Sequence, residues 1–258
     1  IALDAGRNDQ TQISQIQTLI AQKPDAILEQ LGNLDVLNPW LQRIRQADIP
    51  LFTVDTSTPH AINNTTSNNY SIGAELALQM VNDMGGKGKV AVFNGFYSVP
   101  VCKIRYDQLK YVLQSFPEIE IIEPELRDVI PNTVQQAYSD VTDILTQYGE
   151  DSDLKSVWAC WDVPMIGATQ AIEAAGRKDV MTYGVDGSPE YVVMVATEGS
   201  PAGAVAAQQP YEIGKRAADN VAAYLAGEEV PPFTFVPAVL ITKENAAETA
   251  EDFLPKKD

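Results

Sequence analysis

Histidine is almost missing from this chain: His60, in the polar loop TPHAINNTTSNN, is the only one among 258 residues. That scarcity and setting exclude a histidine-dependent catalytic triad and a multi-histidine metal site. Cysteine is nearly as rare, with Cys102 and Cys160 alone. Their separation fits neither a metal-ligand cluster nor a disulfide-dense scaffold; they read as two unlinked core thiols, and the sequence leaves open whether they pair. Basic residues are outnumbered, 18 Lys and Arg against 35 Asp and Glu, for a formal net charge of -17. The resulting field repels nucleic-acid phosphates and anionic lipid, so no nucleic-acid partner is expected. Long apolar runs are lacking too, the stretch VAVF at Val90–Phe93 being far short of the roughly 20 residues a bilayer demands. The opening IALDAGRND has neither the basic nor the apolar segment of a leader, and any export signal is expected to have been removed. Nucleotide signatures are missing as well: no G-x-G-x-x-G turn follows a strand, and the GGKGK turn at Gly85 precedes a strand where a phosphate cradle would precede a helix.

What is present is an alternation. Ile13, Ile16, Leu19 and Ile20 mark an amphipathic helix that Pro24 stops. The apolar run DAILEQL follows, then a helix carrying Leu34, Leu37, Leu41 and Ile44, then PLFTVD. After a loop to Asn69 come a helix with Ile72, Leu76 and Met80, the strand VAVFNG and a helix near Cys102–Ser115. The pattern continues through IEIIEP, a helix near Val134–Gln147, SVWACWD, a helix at Gly167–Ala175, VMTYGVDG, a helix around Tyr191, AGAVAA, a helix at Ile213–Leu225 and a last strand AVLIT. Val-, Ile- and Ala-rich runs alternating with helices imply an α/β chain whose parallel sheets are covered on both faces. Ligands of such sheets bind beyond the carboxyl ends of the strands. That rule selects Asp55 and Thr56, Asn94 to Phe96, Trp161 and Asp162, Val185 and Asp186, and Gln208 and Gln209.

Taken together, IPLFTVD with SNNYSIG, GKGKVAVFNG, KIRYD, WACWDVPMIGATQAIEAAG, GVDGSPE and AQQPYEIG resemble the ribose-type periplasmic sugar-binding proteins of ABC transporters, nearly end to end. The resemblance implies two doubly wound parallel-sheet lobes, residues 1–68 with 210–235 and residues 69–209 with 236–258, joined by a hinge that the chain crosses three times. It implies a monomer that closes on a monosaccharide or sugar alcohol without a cofactor and hands it to the membrane subunits of an ABC importer. The location implied is the periplasm, or a lipoprotein tether in a Gram-positive host. By the same resemblance Asp55 and Asp186 accept paired sugar hydroxyls, Arg105 donates its fork to ring oxygens, and Gln208 supplies a hinge amide. Thr56, Asn68 and Phe96 join the expected ligand-binding set. Trp161 stands where ribose binders carry asparagine, and Val185 where they carry an aromatic, which points away from ribose. Trp161 is expected to stack on a C–H face and to offer its indole N–H to the ligand, with Phe96 and Tyr97 as a second platform. Asp128 and Asn132, in RDVIPNT, are candidates that could equally cap a helix.

Ile1–Asp4 align with the second strand of that family, so the first strand and helix are absent from this numbering. The rival readings are a sugar-sensing domain for chemotaxis or signalling, a repressor's effector domain, and a flavodoxin-like enzyme. The polar tail AEDFLPKKD, with no membrane helix, favours a free binding protein over a fused sensor. In a competing structural account, Asp55 and Asp186 merely cap helices and Arg105 pairs with Asp107 on a solvated face.

Overall fold

A computed structural model describes residues 1–253. The tail residues from Leu254 on, part of the polar tail considered above, lie outside the described residues. The elements run in the order α1 (Asp9–Gln22), β1 (Ile27–Gln30), α2 (Leu34–Gln46), β2 (Leu51–Val54), β3 (Asn63–Thr66), α3 (Asn69–Asp83) and β4 (Gly88–Phe93). They continue with α4 (Pro100–Leu113), β5 (Ile119–Ile121), α5 (Thr133–Gln147), β6 (Leu154–Ala159), α6 (Val163–Ala174) and β7 (Met181–Asp186). The last are α7 (Pro189–Ala196), β8 (Ala202–Ala207), α8 (Pro210–Leu225), β9 (Phe233–Phe235), β10 (Val239–Thr242) and α9 (Ala246–Thr249). They divide into two compact units. One holds Ile1–Asn68, Ser98–Val101 and Gln209–Pro237; the other holds Asn69–Tyr97, Cys102–Gln208 and the segment that begins at Ala238.

The first unit is a four-stranded parallel sheet in the order β1-β2-β3-β9. Asn8 caps α1 by accepting from the Thr11 amide, and Asn33 caps α2 through the Asp35 amide, each supplying an acceptor that a helix start lacks. Leu37, Leu41 and Ile44 recur at helical spacing and are buried against Ile16, Ile27 and Leu51. Ile1–Asp4, aligned above with a family strand, forms none: the segment has no ladder partner, and β1 lies at the edge of the sheet.

Strand β3 is the surprise of this unit. Its sequence, Asn-Asn-Thr-Thr, reads as loop, yet all four residues are buried. The hydrogen bonds explain it. Asn63 Nδ2 donates to Pro231 O and Thr234 Oγ1, Asn220 Nδ2 donates to Asn63 Oδ1 and Thr65 Oγ1, and Thr53 Oγ1 donates to Asn64 Oδ1. A buried polar strand is tolerated when its side chains are satisfied internally, which an apolar-pattern search does not detect.

The second unit is a six-stranded sheet in the order β10-β8-β7-β6-β4-β5. Five of its strands are parallel, and β10 runs antiparallel to β8, pairing Val239 with Ala207. The expectation of parallel strands throughout is therefore corrected at AVLIT. The chain leaves this unit from the carboxyl end of β8 and re-enters at Ala238 beside that same end, so the returning strand must run the other way. The core gathers Phe93, Val141, Val157, Ile172, Val205 and Ile241 from both faces of the sheet.

One buried group in the first unit carries a cost. Glu29 on β1 is buried, holds Gln12 Nε2 at 2.9 Å, and burial pushes its carboxyl up to about 8. A carboxyl raised on folding stabilises nothing by ionising: its favourable state is complete below the unfolded value near 4.5 and is lost as pH rises through about 8. Glu29→Gln should therefore flatten the decline of stability between pH 5 and pH 8.5, a difference on the order of 4 kcal/mol at most. Urea unfolding across that range checks it, and identical slopes for the two proteins would contradict it.

Candidate functional site

In the second unit the polar strand ends converge on one cation. Arg105, on α4, is only 2% exposed. Its Nε donates to Asn69 Oδ1 at 2.7 Å, Nη1 to Cys160 O at 2.7 Å and to Asp186 Oδ1 at 3.1 Å, and Nη2 to Gln208 Oε1 at 2.9 Å. A buried guanidinium must have such partners, because stripping its water without replacing it would cost several kcal/mol. Among the described residues these bonds engage four of its five N–H groups. The account in which Arg105 pairs with Asp107 fails: Asp107 lies with Lys103 and Lys110 on the exposed side of α4.

Asp186 ends β7 with φ 110° and keeps 42% of its side chain exposed. A non-glycine residue held in that region is strained, and such strain gathers at binding sites. Gln208 follows β8 and is 7% exposed. Because Arg105 fixes its Oε1, the amide nitrogen is aimed elsewhere, and among the described residues that buried Nε2 has no hydrogen-bond partner. An orphaned buried donor is rare in a folded protein and marks a place where something else accepts.

Next to this cluster lies an aromatic pair. Asp128 is buried and accepts from the Gly95 amide at 2.5 Å and from Trp161 Nε1. Burial raises its carboxyl above the usual range, against the pull of those two donors. Phe96 meets Trp161 edge to face, centroids 5.6 Å apart. The indole N–H expected to point at a ligand is thus committed to Asp128. Tyr97, grouped with Phe96 in the sequence, packs instead on Tyr106 and donates to Asp107.

Asn132 is exposed in the left-handed region at φ 71°, at the head of α5 but without a side-chain cap bond, and is not among the partners of Arg105 or Asp128. The capping account fails for Asp128 as well, since it serves Gly95 and Trp161.

In the first unit, Asp55 follows β2 with φ 56° and accepts from Thr66 Oγ1 at 2.6 Å. It too is a strained strand-end carboxylate. Thr56 is fully buried, its hydroxyl directed to Val54 O and its amide to Asn64 Oδ1. Asn68 is exposed, whereas its neighbour Asn69 is the one that reaches Arg105.

The sequence reading overlooked Asn69, although SNNYSIG contains it; two adjacent asparagines look alike until the turn into α3 decides which faces inward. It also left open whether the two cysteines pair. Cys102 and Cys160, read as unlinked thiols, form a disulfide with Cα atoms 5.0 Å apart. Their 58-residue separation concealed that the first turn of α4 meets the end of β6. Cys102 is one helical turn before Arg105, so the bond and the Arg105–Cys160 hydrogen bond fasten the same two segments. Among the described residues no group of His, Cys, Asp or Glu could hold a metal, and no helix is long and apolar enough to cross a membrane.

Two α/β units with polar residues at their strand ends define a class, and the comparisons place the chain in it. A family model described as periplasmic binding protein domain matches residues 1–229, and the chain belongs to that family, with its type I fold. Among particular relatives, a D-apiose import binding protein of Actinobacillus succinogenes is 29% identical over 193 residues, 73% of this chain and 58% of that protein. A xylitol-binding protein of Mycolicibacterium smegmatis is 28% identical over 187 residues, 71% of this chain and 52% of that one. The matches thus span little more than half the length of these two relatives. Among solved structures, an ABC sugar transporter subunit from Rhodobacter sphaeroides 2.4.1 is 80% identical with TM-score 0.94, covering 95% of this chain and 87% of the other. An ABC transporter solute-binding protein from Agrobacterium vitis with bound allitol is 54% identical with TM-score 0.95, covering 97% and 87%.

Closing a loop of this length by a disulfide removes about 4 kcal/mol of unfolded-chain freedom in the entropic account. Reducing the protein, or replacing both cysteines by serine, should lower unfolding stability by about 2 to 5 kcal/mol, read from urea curves with and without reductant. Superimposable curves would show that the bond does not constrain the chain.

Proposed function

We propose that this chain is an extracytoplasmic solute-binding protein that captures a sugar alcohol or monosaccharide and delivers it to an ABC importer. The observation that carries the reading is the Arg105 cluster. It presents a half-exposed carboxylate, Asp186, beside a buried amide donor, Gln208 Nε2, that has no partner among the described residues. A carboxylate accepts hydroxyl protons while an amide and a guanidinium donate to hydroxyl oxygens, so the set complements vicinal diols, whose every OH does both. Asp55, a strand-end carboxylate of the first unit, is a further candidate acceptor of hydroxyl protons. Trp161 and Phe96 supply an apolar surface for C–H groups.

The allitol-bound relative, 54% identical, and the xylitol-binding relative favour an acyclic polyol as ligand. In this reading the protein catalyses nothing and requires no cofactor: its fixed polar groups replace the ligand's water. It acts as a monomer outside the cytoplasmic membrane, in the periplasm or tethered as a lipoprotein, and its macromolecular partners are the importer's membrane subunits.

A calorimetric and thermal-shift panel of pentitols, hexitols including allitol, inositols, pentoses and hexoses tests this. A ligand at about a hundredfold over its Kd should add roughly 2.7 kcal/mol of stability. Asp186→Ala and Gln208→Leu should each weaken binding by about 2 kcal/mol or more, roughly thirtyfold, since each leaves a ligand hydroxyl without its partner. Affinity within about threefold of wild type in both variants would overturn the site assignment, and no response from any polyol or sugar would overturn the ligand class.

A further inference from the structure

Asp162 is a buried carboxylate that is not among the hydrogen-bond partners of Arg105. It is 1% exposed and occupies the N-cap position of α6, yet its side chain makes no capping bond to that helix. Instead Oδ2 accepts from the Gly187 amide at 2.9 Å and the Ser188 amide at 2.6 Å. These are the two amides that follow Asp186.

The turn they belong to is held from other sides as well. Gly187 has φ 84°, and a Cβ there would come within 2.6 Å of the Ala207 side chain, so the backbone lies directly against β8. A Cβ on Gly184 would meet Asp162 Cα at 2.9 Å, so the end of β7 is packed against the head of α6. Asp186 sits between these supports in its strained conformation, with Oδ1 3.1 Å from Arg105.

We propose that Asp162 is a positioning residue for ligand capture: by holding the Gly187 and Ser188 amides it fixes the Asp186 backbone and aims the Asp186 carboxylate between Arg105 and a ligand hydroxyl. This rests on the binding reading given above. Burial, then the neighbouring charge of Asp186, pushes the Asp162 carboxyl up to about 7, and the groups around it are Asp186, the Tyr191 phenol, the Ser188 hydroxyl and the two amides. A carboxyl that is half neutral near pH 7 can be replaced by a neutral amide of the same shape, because one oxygen accepts both bonds.

Asp162→Asn should therefore preserve the function and Asp162→Ala should not. In the free protein, amide exchange at Gly187 and Ser188 should speed up by about tenfold or more in Asp162→Ala and stay within about threefold in Asp162→Asn. Ser188→Pro offers a second route if the alanine variant does not fold. Ser188 already has φ -58°, so proline removes the amide donor and the neighbouring hydroxyl at an acceptable φ, and exchange at Gly187 should rise. Affinity for allitol should fall about tenfold in Asp162→Ala, and in an Asp186→Ala background the same change should add almost nothing.

Unchanged exchange at both amides in Asp162→Ala and at Gly187 in Ser188→Pro would overturn the proposal. So would an undiminished affinity loss in the Asp186→Ala background, or an asparagine variant as weak as alanine. If wild type ignores allitol, the binding reading fails for that ligand, while the exchange measurement still decides what Asp162 holds.

Discussion

A guanidinium without water must be surrounded by acceptors, and in the second unit that requirement organises everything near the strand ends. Arg105 draws its acceptors from four places in the chain: the start of α3, the residue after β6, the end of β7 and the residue after β8. A lysine could not serve them all, because its compact ammonium lacks the planar fork that spreads donors across several directions. The Cys102–Cys160 bond acts in the same place by tying the helix that carries Arg105 to the end of β6. Each acceptor that satisfies Arg105 is thereby held still, and an immobile polar group loses little entropy when a ligand arrives.

This has a consequence for selectivity. Fixing Gln208 Oε1 on Arg105 leaves the amide nitrogen without an acceptor among the described residues, and Arg105 holds one oxygen of the half-exposed Asp186 carboxylate. In the proposed reading, a ligand missing a hydroxyl opposite Gln208 leaves a buried donor unsatisfied, a penalty larger than the gain from any single good contact. The aromatic side works differently. Asp128 ties down Trp161 through its indole N–H, and Phe96 braces the ring at a right angle, so Trp161 presents surface and not a donor. In the proposed reading, polar discrimination and apolar contact thus fall to different residues.

Much of this was legible in the sequence, for reasons that differ from residue to residue. The alternating elements were visible wherever burial is apolar, as at LFTV and AGAVAA. They were invisible at β3, where Asn and Thr are buried by satisfying one another, and direction was misread at β10, because a strand's composition does not say which way it runs. Arg105, Asp186 and Gln208 came from a family resemblance, the last two also from their place at strand ends, and the structure brings these three together. The Asn68 and Asn69 pair shows the limit: spacing locates a helix start but not which of two equal side chains turns inward. Asp162 and the disulfide depend on contacts 25 and 58 residues apart, which no local pattern records.

In the proposed reading, Gln208 Nε2 and the Asp186 carboxylate, both positioned by Arg105, are the ligand's hydrogen-bond partners. A crystal structure of the protein soaked or grown with allitol tests it most directly. The prediction is a ligand hydroxyl oxygen within about 3.2 Å of Gln208 Nε2 and another within that distance of an Asp186 carboxylate oxygen, with the four Arg105 bonds unchanged. Allitol bound away from both residues, or an Arg105 that abandons Gln208 to reach the ligand, would contradict it.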